Sequence, residues 1–181
     1  KPMKIKVCGI TNLEDAQLAY WMGATSLGFI FAPSPRQVTI ETAREISKHL
    51  PDSISRAGVF INPSLDEVCT AIERVGLSIV QLHQNESLKL IESIKSKAPH
   101  VQILKVILFD ESSIHTPLFD EGLSEASLGQ TSLIDSSLVD AFLFDMPKQK
   151  VDRQKAFQFL STQKISKPYY VAGGLSSENL D

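Results

Sequence analysis

Apolar and polar positions follow two alternating periods along this chain of 181 residues, and the alternation predicts strands and helices in turn. Short apolar runs of strand length are separated by stretches in which apolar residues recur every three or four positions. The predicted strands are Lys4–Ile10, Ser26–Phe31, Arg56–Ile61, Ser78–Leu82, Gln102–Phe109, Ala141–Phe144 and Tyr169–Ala172. The predicted helices are Thr11–Met22, Ile40–Leu50, one that begins at Ser64, Glu86–Lys97 and Val151–Leu160.

Strands that alternate with helices at this spacing imply right-handed βαβ units and a parallel sheet. The nearly continuous apolar strands fit a sheet that is covered on both faces or closed into a barrel, and periodicity alone does not separate these two folds. The stretch Asp110–Leu138 keeps no clean period and is predicted to be a long loop with a weak helix. The length predicts one domain, 1–181.

Two helix starts carry the spacing of a capping box, in which a Ser or Thr is followed three positions later by Glu. Thr11 and Glu14 have this spacing before the first helix, and Ser64 and Glu67 have it before the third. We therefore expect both pairs to satisfy backbone amide groups at the helix N-termini.

Composition and charge exclude several classes of protein. Hydrophobic residues make up 43% of the chain and charged residues 22%, as in ordinary globular proteins, and the net charge of −3 argues against a nucleic-acid-binding surface. No apolar run approaches the roughly 20 residues of a membrane helix, and no long apolar segment follows the basic N-terminus as in a secretory signal. Two cysteines and four scattered histidines give no metal-ligand spacing. We expect a cytoplasmic protein without a metal, a membrane partner or a nucleic-acid partner.

Functional residues of parallel α/β folds lie at the carboxyl ends of the strands. No Gly-x-Gly-x-x-Gly follows the first strand, so dinucleotide binding has no direct support. The candidates that the predicted strands place at this edge are chemically varied: Cys8, Gly9, Arg36, Asn62, His83, Asp110, Asp145, Gly173 and Gly174.

Cys8 and Asp145 are the candidates for proton transfer. Cys8 is either a small buried hydrophobe or a thiolate base, because the first helix begins a few residues later and a helix N-terminus stabilises a thiolate. Asp145 follows an apolar strand and is either a general acid or a cap of the next turn; Asp110 has the same setting. Cys69 lies within a predicted helix and is expected to pack in the core.

Arg36, His83 and the pair Gly173–Gly174 are the candidates for binding. The prolines around Arg36 stiffen its loop, which suits a guanidinium that meets a carboxylate or phosphate, although a solvated arginine is the simpler interpretation. His83 ends a predicted strand at this edge, and the simpler interpretation is a hydrogen-bonded core histidine. The two glycines allow backbone N–H groups to approach a phosphate, or they form an ordinary tight turn.

These stretches together resemble the phosphoribosylanthranilate isomerase family of tryptophan biosynthesis. The matching stretches, in the family's order, are Lys6–Thr11, Gly28–Phe31 with Ser34–Arg36, Ala57–Asn62, Val80–His83 and Val171–Leu175 with Glu178–Asn179. The resemblance implies a (β/α)8 barrel and an Amadori rearrangement of N-(5-phosphoribosyl)anthranilate without metal or organic cofactor. It also implies a phosphorylated small-molecule substrate. We expect a monomer or homodimer.

The resemblance assigns roles residue by residue. It implies that Cys8 is the general base and Asp145 the general acid, which decides between Asp145 and Asp110. It further implies that Arg36 binds the anthranilate carboxylate, that Gly173 and Gly174 bind the phosphate, and that His83 lines the mouth.

Two departures from the family pattern support an alternative. Met146–Lys150 stands where the family has a glycine-rich loop, so Lys148 or Lys150 is a candidate phosphate contact or a solvated charge. Seven strands are accounted for, so we expect the given chain to lack the last β/α unit of the barrel. The alternative is therefore an impaired or non-catalytic barrel that only binds a phosphorylated ligand; another sugar-phosphate isomerase is disfavoured by Arg36.

Overall fold

The computed structural model describes residues 3–84, 86–109, 137–146, 152–163 and 165–175. The chain divides into two compact units, Lys1–Ile103 and Leu104–Asp181. The predictions for Asp110, Lys148, Lys150 and for nearly all of the stretch 110–138 lie outside the described residues. The prediction of a single domain, 1–181, stays a prediction.

The first unit is a repeating strand–helix arrangement with four strands in parallel. The strands are β1 (Lys6–Cys8), β2 (Ser26–Ile30), β3 (Ser55–Phe60) and β4 (Ile79–Leu82), and each pairs with the next in the sequence. The helices are α1 (Leu13–Trp21), α2 (Ile40–Lys48), α3 (Leu65–Val75) and α4 (Leu88–Lys97). The carboxyl ends of all four strands therefore lie at one edge.

The second unit continues the same pattern. β5 (Gln102–Leu108) begins at the end of the first unit, and β6 (Ala141–Asp145) and β7 (Tyr169–Ala172) follow in parallel register. The described helix of this unit is α5 (Arg153–Thr162). No helix in the described part of the chain is long and apolar enough to cross a membrane.

Burial on the strands explains why their sequences are almost continuously apolar. Leu27 and Phe29 on β2 lie on one side of the pleat and Gly28 on the other, and all three are buried. β4 is buried along its whole length. Strands of a parallel sheet are covered on both faces, so their apolar runs do not alternate with polar residues.

The helix caps confirm one sequence prediction and correct another. Ser64 and Glu67 form the predicted capping box at α3. The prediction for Thr11 and Glu14 is wrong: Asn12 caps α1, and its side-chain oxygen accepts from the Asp15 backbone N–H at 2.8 Å. Both Asn and Thr cap helices, and the chain places Asn12 one residue closer to the first turn.

The start of α4 differs from the prediction for a reason that involves a buried carboxyl group. The helix begins at Leu88 with Ser87 as its cap, two residues after the predicted start at Glu86. Glu86 is only 4% exposed, and its carboxylate accepts hydrogen bonds from the backbone N–H groups of Asn62 and Gln84. The carboxylate thus ties together two strand ends, since Asn62 follows β3 and Gln84 follows β4.

Candidate functional site

Cys8 is the last residue of β1 and faces Gly28 on β2. The two residues are paired in register, and a Cβ built at Gly28 would lie 2.8 Å from the Cys8 Sγ atom. The thiol is free and only partly buried. The absence of a side chain at position 28 therefore makes the room that the thiol occupies at the carboxyl end of the strand.

Gly9 follows β1 and takes the chain out of the strand conformation. It has a φ of 87°, which an L side chain rarely adopts, and the N–H groups of Gly9 and Ile10 both donate to the Gly28 carbonyl oxygen. The strand therefore ends at Cys8 and not at the predicted Ile10, and it begins at Lys6 and not at the predicted Lys4. This turn fixes the orientation of the Cys8 carbonyl group.

Arg36 reaches from the loop after β2 to the end of β1. Its Nη1 donates to the Cys8 carbonyl oxygen at 2.8 Å, across 28 residues of sequence. The guanidinium lies directly over Gly9, because a Cβ built there would be 2.5 Å from Nη1 and 2.6 Å from Cζ. The structure thus brings together two of the predicted site residues, Cys8 and Arg36.

The loop that carries Arg36 is held at several points. Ser34 Oγ accepts from the Arg36 backbone N–H, and Gln37 Nε2 donates to the Phe31 carbonyl oxygen. The Val38 N–H donates to the Ile30 carbonyl oxygen at the end of β2. These hydrogen bonds hold the loop in one conformation, so the backbone of Arg36 has a defined position from which its side chain extends.

Lys6, the first residue of the matching stretch Lys6–Thr11, belongs to this cluster, although the resemblance assigns it no role. It lies two positions before Cys8 on β1, and a Cβ at Gly28 would lie 3.0 Å from its Nζ. The signal in the sequence that could have found it is the period of two along a strand, which places residues 6 and 8 on the same face.

His83 follows β4 and is partly buried, with its backbone N–H donating to the Phe60 carbonyl oxygen at 3.1 Å. The position agrees with the predicted edge of the sheet. That His83 lines the mouth of the barrel stays a prediction.

In the second unit, Asp145 and Gly173 lie against each other. Asp145 ends β6 and is paired with Ala172 on β7, and a Cβ built at Gly173 would lie 2.8 Å from Asp145 Oδ1. The same Cβ would also overlap the Met146 carbonyl group. Gly173 and Gly174 have φ values of 91° and 62°, so the predicted turn requires glycine.

Arg153 fixes this turn from the start of α5. Its Nε and Nη2 both donate to the Gly173 carbonyl oxygen, at 3.2 and 3.1 Å. Sequence patterns do not single out Arg153, because no short motif marks a side chain that donates hydrogen bonds to a carbonyl oxygen 20 residues away.

The described residues contain no group of three or more His, Cys, Asp and Glu side chains that could hold a metal ion. A cavity of about 390 Å³ in the first unit lies between the loops after β2 and β3, where the Phe31 and Phe60 rings stack. Among the sequence candidates that the structure describes, only Asn62 lines this cavity; Cys8, Arg36 and His83 do not. The cavity is therefore separate from the cluster around Cys8.

Comparison with known proteins gives consistent relatives. The family model for N-(5'phosphoribosyl)anthranilate (PRA) isomerase matches residues 5–181. The N-(5'-phosphoribosyl)anthranilate isomerase of Streptococcus pneumoniae (strain ATCC 700669 / Spain 23F-1) is 32% identical over 177 residues, which cover 98% of this chain and 77% of the relative.

Solved structures agree with the sequence relatives. Phosphoribosyl anthranilate isomerase from Thermotoga maritima superposes with a TM-score of 0.77 at 27% identity, over 98% of this chain and 80% of that one. A complex of a phosphoribosyl anthranilate isomerase with reduced 1-(o-carboxyphenylamino)-1-deoxyribulose 5-phosphate gives 0.73 at 28% identity, over 98% and 79%. These matches confirm the predicted (β/α)8-barrel fold class, and the chain belongs to the N-(5'-phosphoribosyl)anthranilate isomerase family.

Proposed function

We propose that this chain catalyses the Amadori rearrangement of N-(5-phosphoribosyl)anthranilate in tryptophan biosynthesis, with Cys8 as general base and Asp145 as general acid. The function is that of the family to which the chain belongs. The single observation that carries the residue assignment is the Cys8 thiol at the end of β1, in the space left by Gly28, with the Arg36 guanidinium bonded to the Cys8 carbonyl oxygen.

The first step opens the ribose ring. The Asp145 carboxyl group gives its proton to the furanose ring oxygen, and the bond between that oxygen and C1′ breaks. The lone pair of the anthranilate nitrogen forms a C1′=N double bond, so the positive charge moves to nitrogen. A carboxyl group at the end of a buried strand suits this role, since proton transfer needs a positioned acid.

The second step removes the proton at C2′. The Cys8 thiolate takes that proton, the C–H electron pair forms a C1′=C2′ double bond, and the electron pair of C1′=N returns to nitrogen. The resulting enaminol loses its O2′ proton and gains one at C1′, which yields the aminodeoxyribulose phosphate. The reaction thus consists of proton transfers, the kind of step that positioned side chains accelerate.

Arg36 and the turn Gly173–Gly174 supply the binding groups in this proposal. A guanidinium presents paired donors to a carboxylate, which fits the anthranilate end of the substrate. The positive φ values of the glycines allow their backbone N–H groups to approach the phosphate, and His83 lines the mouth.

The cellular location, the oligomeric state and the number of domains are also part of the proposal. The two cysteines are free, which fits a cytoplasmic location. A related Thermotoga maritima enzyme is named as dimeric in the structure of monomers generated from it. We propose a monomer or homodimer for this chain, formed by one domain.

The test is turnover of phosphoribosylanthranilate, followed by loss of substrate fluorescence. Wild-type protein should convert the substrate, and Cys8→Ala and Asp145→Asn should each lower kcat at least about 100-fold. Cys69→Ala is the matched control, because Cys69 lies on α3 and its loss should keep wild-type turnover.

Two outcomes would overturn the assignments. Full turnover by Cys8→Ala would reject Cys8 as the base. Tight binding of the reduced product analogue by wild-type protein without any turnover would make the chain a ligand-binding barrel instead of an enzyme.

A further inference from the structure

Gln81 on β4 has a buried amide oxygen that lacks a hydrogen-bond partner. The residue is only 4% exposed, and among the residues that the structure describes its Oε1 is the one enclosed side-chain oxygen or nitrogen that bonds to nothing. Other buried polar side chains are paired: the Ser47 hydroxyl donates to the Val75 carbonyl oxygen, and Glu86 accepts from two backbone N–H groups. Native folds rarely keep a buried acceptor unpaired, so this oxygen indicates a group that is bonded when a ligand is present.

Gln81 points to the same face of the sheet as Cys8. The register of β1 to β4 places four residues in one row: Cys8, Gly28, Ala57 and Ile79. Successive residues of a strand point to opposite faces, so Gln81, two positions after Ile79, shares the face of this row. It also lies nearer than the row to the carboxyl edge of the sheet, where this class of fold carries its functional residues.

The neighbouring positions on this face offer the Gln81 oxygen no donor. Its register partner on β3 is Val59, which pairs in turn with Ile30 on β2. The preceding residue of β4 on the same face is Ile79. All three side chains are hydrocarbons, so a hydrogen bond to the Gln81 oxygen over this part of the sheet has to come from a ligand.

We propose that Gln81 is a substrate-binding residue whose amide oxygen accepts a hydrogen bond from a hydroxyl group of the substrate's sugar. This inference rests on the proposed function, and it adds a contact that neither the family match nor the residue roles given above assign. Rotation about the last bond of the side chain exchanges the amide oxygen and nitrogen, so the oxygen can face a ligand that binds over this face of the sheet.

The chemistry of the substrate selects its hydroxyl groups. The carboxylate and the phosphate accept hydrogen bonds at neutral pH and cannot satisfy another acceptor. The anthranilate N–H lies beside its own ortho carboxylate, which accepts it in an internal hydrogen bond. The sugar hydroxyls are therefore the donors that remain, and a site that bonds a hydroxyl discriminates against ligands that lack it.

The test measures binding of reduced 1-(o-carboxyphenylamino)-1-deoxyribulose 5-phosphate by calorimetry. It compares wild-type protein with Gln81→Met, because methionine has nearly the length and shape of glutamine without the amide. Gln81→Met should weaken binding of this analogue at least about tenfold. Gln102 is exposed at the start of β5, so Gln102→Met is the matched control and should bind like wild type.

Inorganic phosphate and anthranilate provide the second measurement, because neither contains a sugar hydroxyl. Their dissociation constants should change by less than about twofold in Gln81→Met. Anthranilate binding that weakens as much as binding of the analogue would mean that the aniline N–H is the donor. That result would overturn the assignment to a hydroxyl group.

Stability distinguishes a contact with the ligand from a structural role. Gln81→Met replaces an unpaired buried polar group with an apolar one of similar shape, so the denaturant midpoint of the free protein should stay at or above the wild-type value. Weaker binding together with a lower midpoint would assign Gln81 to packing and overturn the proposal. If circular dichroism shows that Gln81→Met does not fold, Gln81→Leu provides the same test.

The outcomes separate this inference from the proposed function. Unchanged binding of the analogue by folded Gln81→Met or Gln81→Leu would overturn the contact, and so would failure of the wild-type protein to bind the analogue. Calorimetry needs no turnover, so it tests Gln81 even if the chain does not convert phosphoribosylanthranilate. Conversely, weaker binding by Gln81→Met together with full turnover by Cys8→Ala would keep the Gln81 contact and reject Cys8 as the base.

Discussion

Gly9 leaves open the space that the Arg36 guanidinium occupies. A Cβ at Gly9 would lie 2.5 Å from Nη1 and 2.9 Å from Nε of Arg36, closer than real Cβ atoms approach. The glycine after Cys8 is thus required twice, for its φ of 87° and for the arginine that folds over it.

Gly9→Ala should displace Arg36 from the Cys8 carbonyl oxygen. We expect KM for phosphoribosylanthranilate to rise at least about tenfold, because a lost charge-assisted contact costs roughly 1.5 to 3 kcal/mol. The backbone strain should also lower the free energy of unfolding by about 1 to 2 kcal/mol. Steady-state kinetics and denaturant unfolding measure the two effects.

Gly23→Ala is the matched control for Gly9→Ala. Gly23 has a φ of 96°, but a Cβ there meets nothing within 4 Å. It should show the same loss of stability with unchanged KM. An equal rise of KM in both variants would mean that strain, and not displacement of Arg36, explains the effect.

Gly28→Ala should impair the thiol without preventing folding. The added methyl group would lie 2.8 Å from Cys8 Sγ and 3.0 Å from Lys6 Nζ, and both side chains can rotate away. It would also lie 3.2 Å from the Cys8 Cα atom, so the backbone of β1 must shift slightly. Because about 1 Å of misplacement can cost 100-fold in rate, we expect kcat to fall by about that factor. Steady-state kinetics of the folded variant measures the change.

Gly58→Ala separates packing from chemistry. Its Cβ would contact Leu77, Phe60 and Phe31, away from the thiol. Overpacking should cost roughly 1 to 3 kcal/mol of stability and leave kcat near the wild-type value. Wild-type kcat in Gly28→Ala would show that the space over Gly28 does not matter for catalysis.

Arg153→Met should loosen the turn at Gly173. It removes two hydrogen bonds to the Gly173 carbonyl oxygen, so we expect the free energy of unfolding to fall by about 1 to 2 kcal/mol. We also expect weaker inhibition of turnover by inorganic phosphate. Arg153→Lys keeps the charge but not the paired donors, so it should behave more like Met than like wild type. Unchanged inhibition in both variants would contradict the link between the turn and the phosphate.

The capping box at α3 should make stability depend on pH. Hydrogen bonds from the Ser64 backbone N–H and then from its hydroxyl hold the pKa of Glu67 below its ordinary value of 4.5. A lowered carboxyl pKa stabilises the fold above the ordinary value, and this contribution is lost as the pH falls through the lowered pKa.

Glu67→Gln should therefore lower stability by no more than about 1 kcal/mol at pH 7, and the difference from wild type should shrink below pH 4.5. Glu73→Gln on the same helix is the control and should follow the wild-type curve. Denaturant midpoints over a series of pH values measure both. A difference that stays constant at low pH would show that the carboxylate does not act through its charge.

The sequence predicts the order and kind of the described elements well, and it predicts their ends less well. Apolar runs and capping residues determine that β1 and α1 exist. The end of β1 instead depends on Gly9, whose φ leaves the strand region, and the start of α4 depends on Glu86 bonding to two strand ends. These are contacts between residues far apart in the chain, which local patterns do not encode.

The same distinction applies to the site. Sequence alone can select four site residues, because each has a reactive or turn-forming side chain type at the carboxyl end of a predicted strand, where this fold carries its functional residues: Cys8, Arg36, Asp145 and Gly173. Three contacts form only when the elements pack. They are the hydrogen bond from Arg36 to Cys8, the approach of Lys6 to the thiol, and the hydrogen bonds from Arg153 to Gly173. Arginine and lysine are abundant on every surface, so their types alone do not identify them.

The continuity of the segment 6–36 has an evolutionary consequence. Lys6, Cys8, Gly9, Gly28 and Arg36 all lie within one strand–helix–strand stretch and its following loop, and their mutual contacts are contained in it. A recombination event that exchanged later parts of the chain would transmit this group of residues intact. The segment is therefore a unit that can be inherited, or grafted onto another barrel of the same strand spacing, without being reassembled residue by residue.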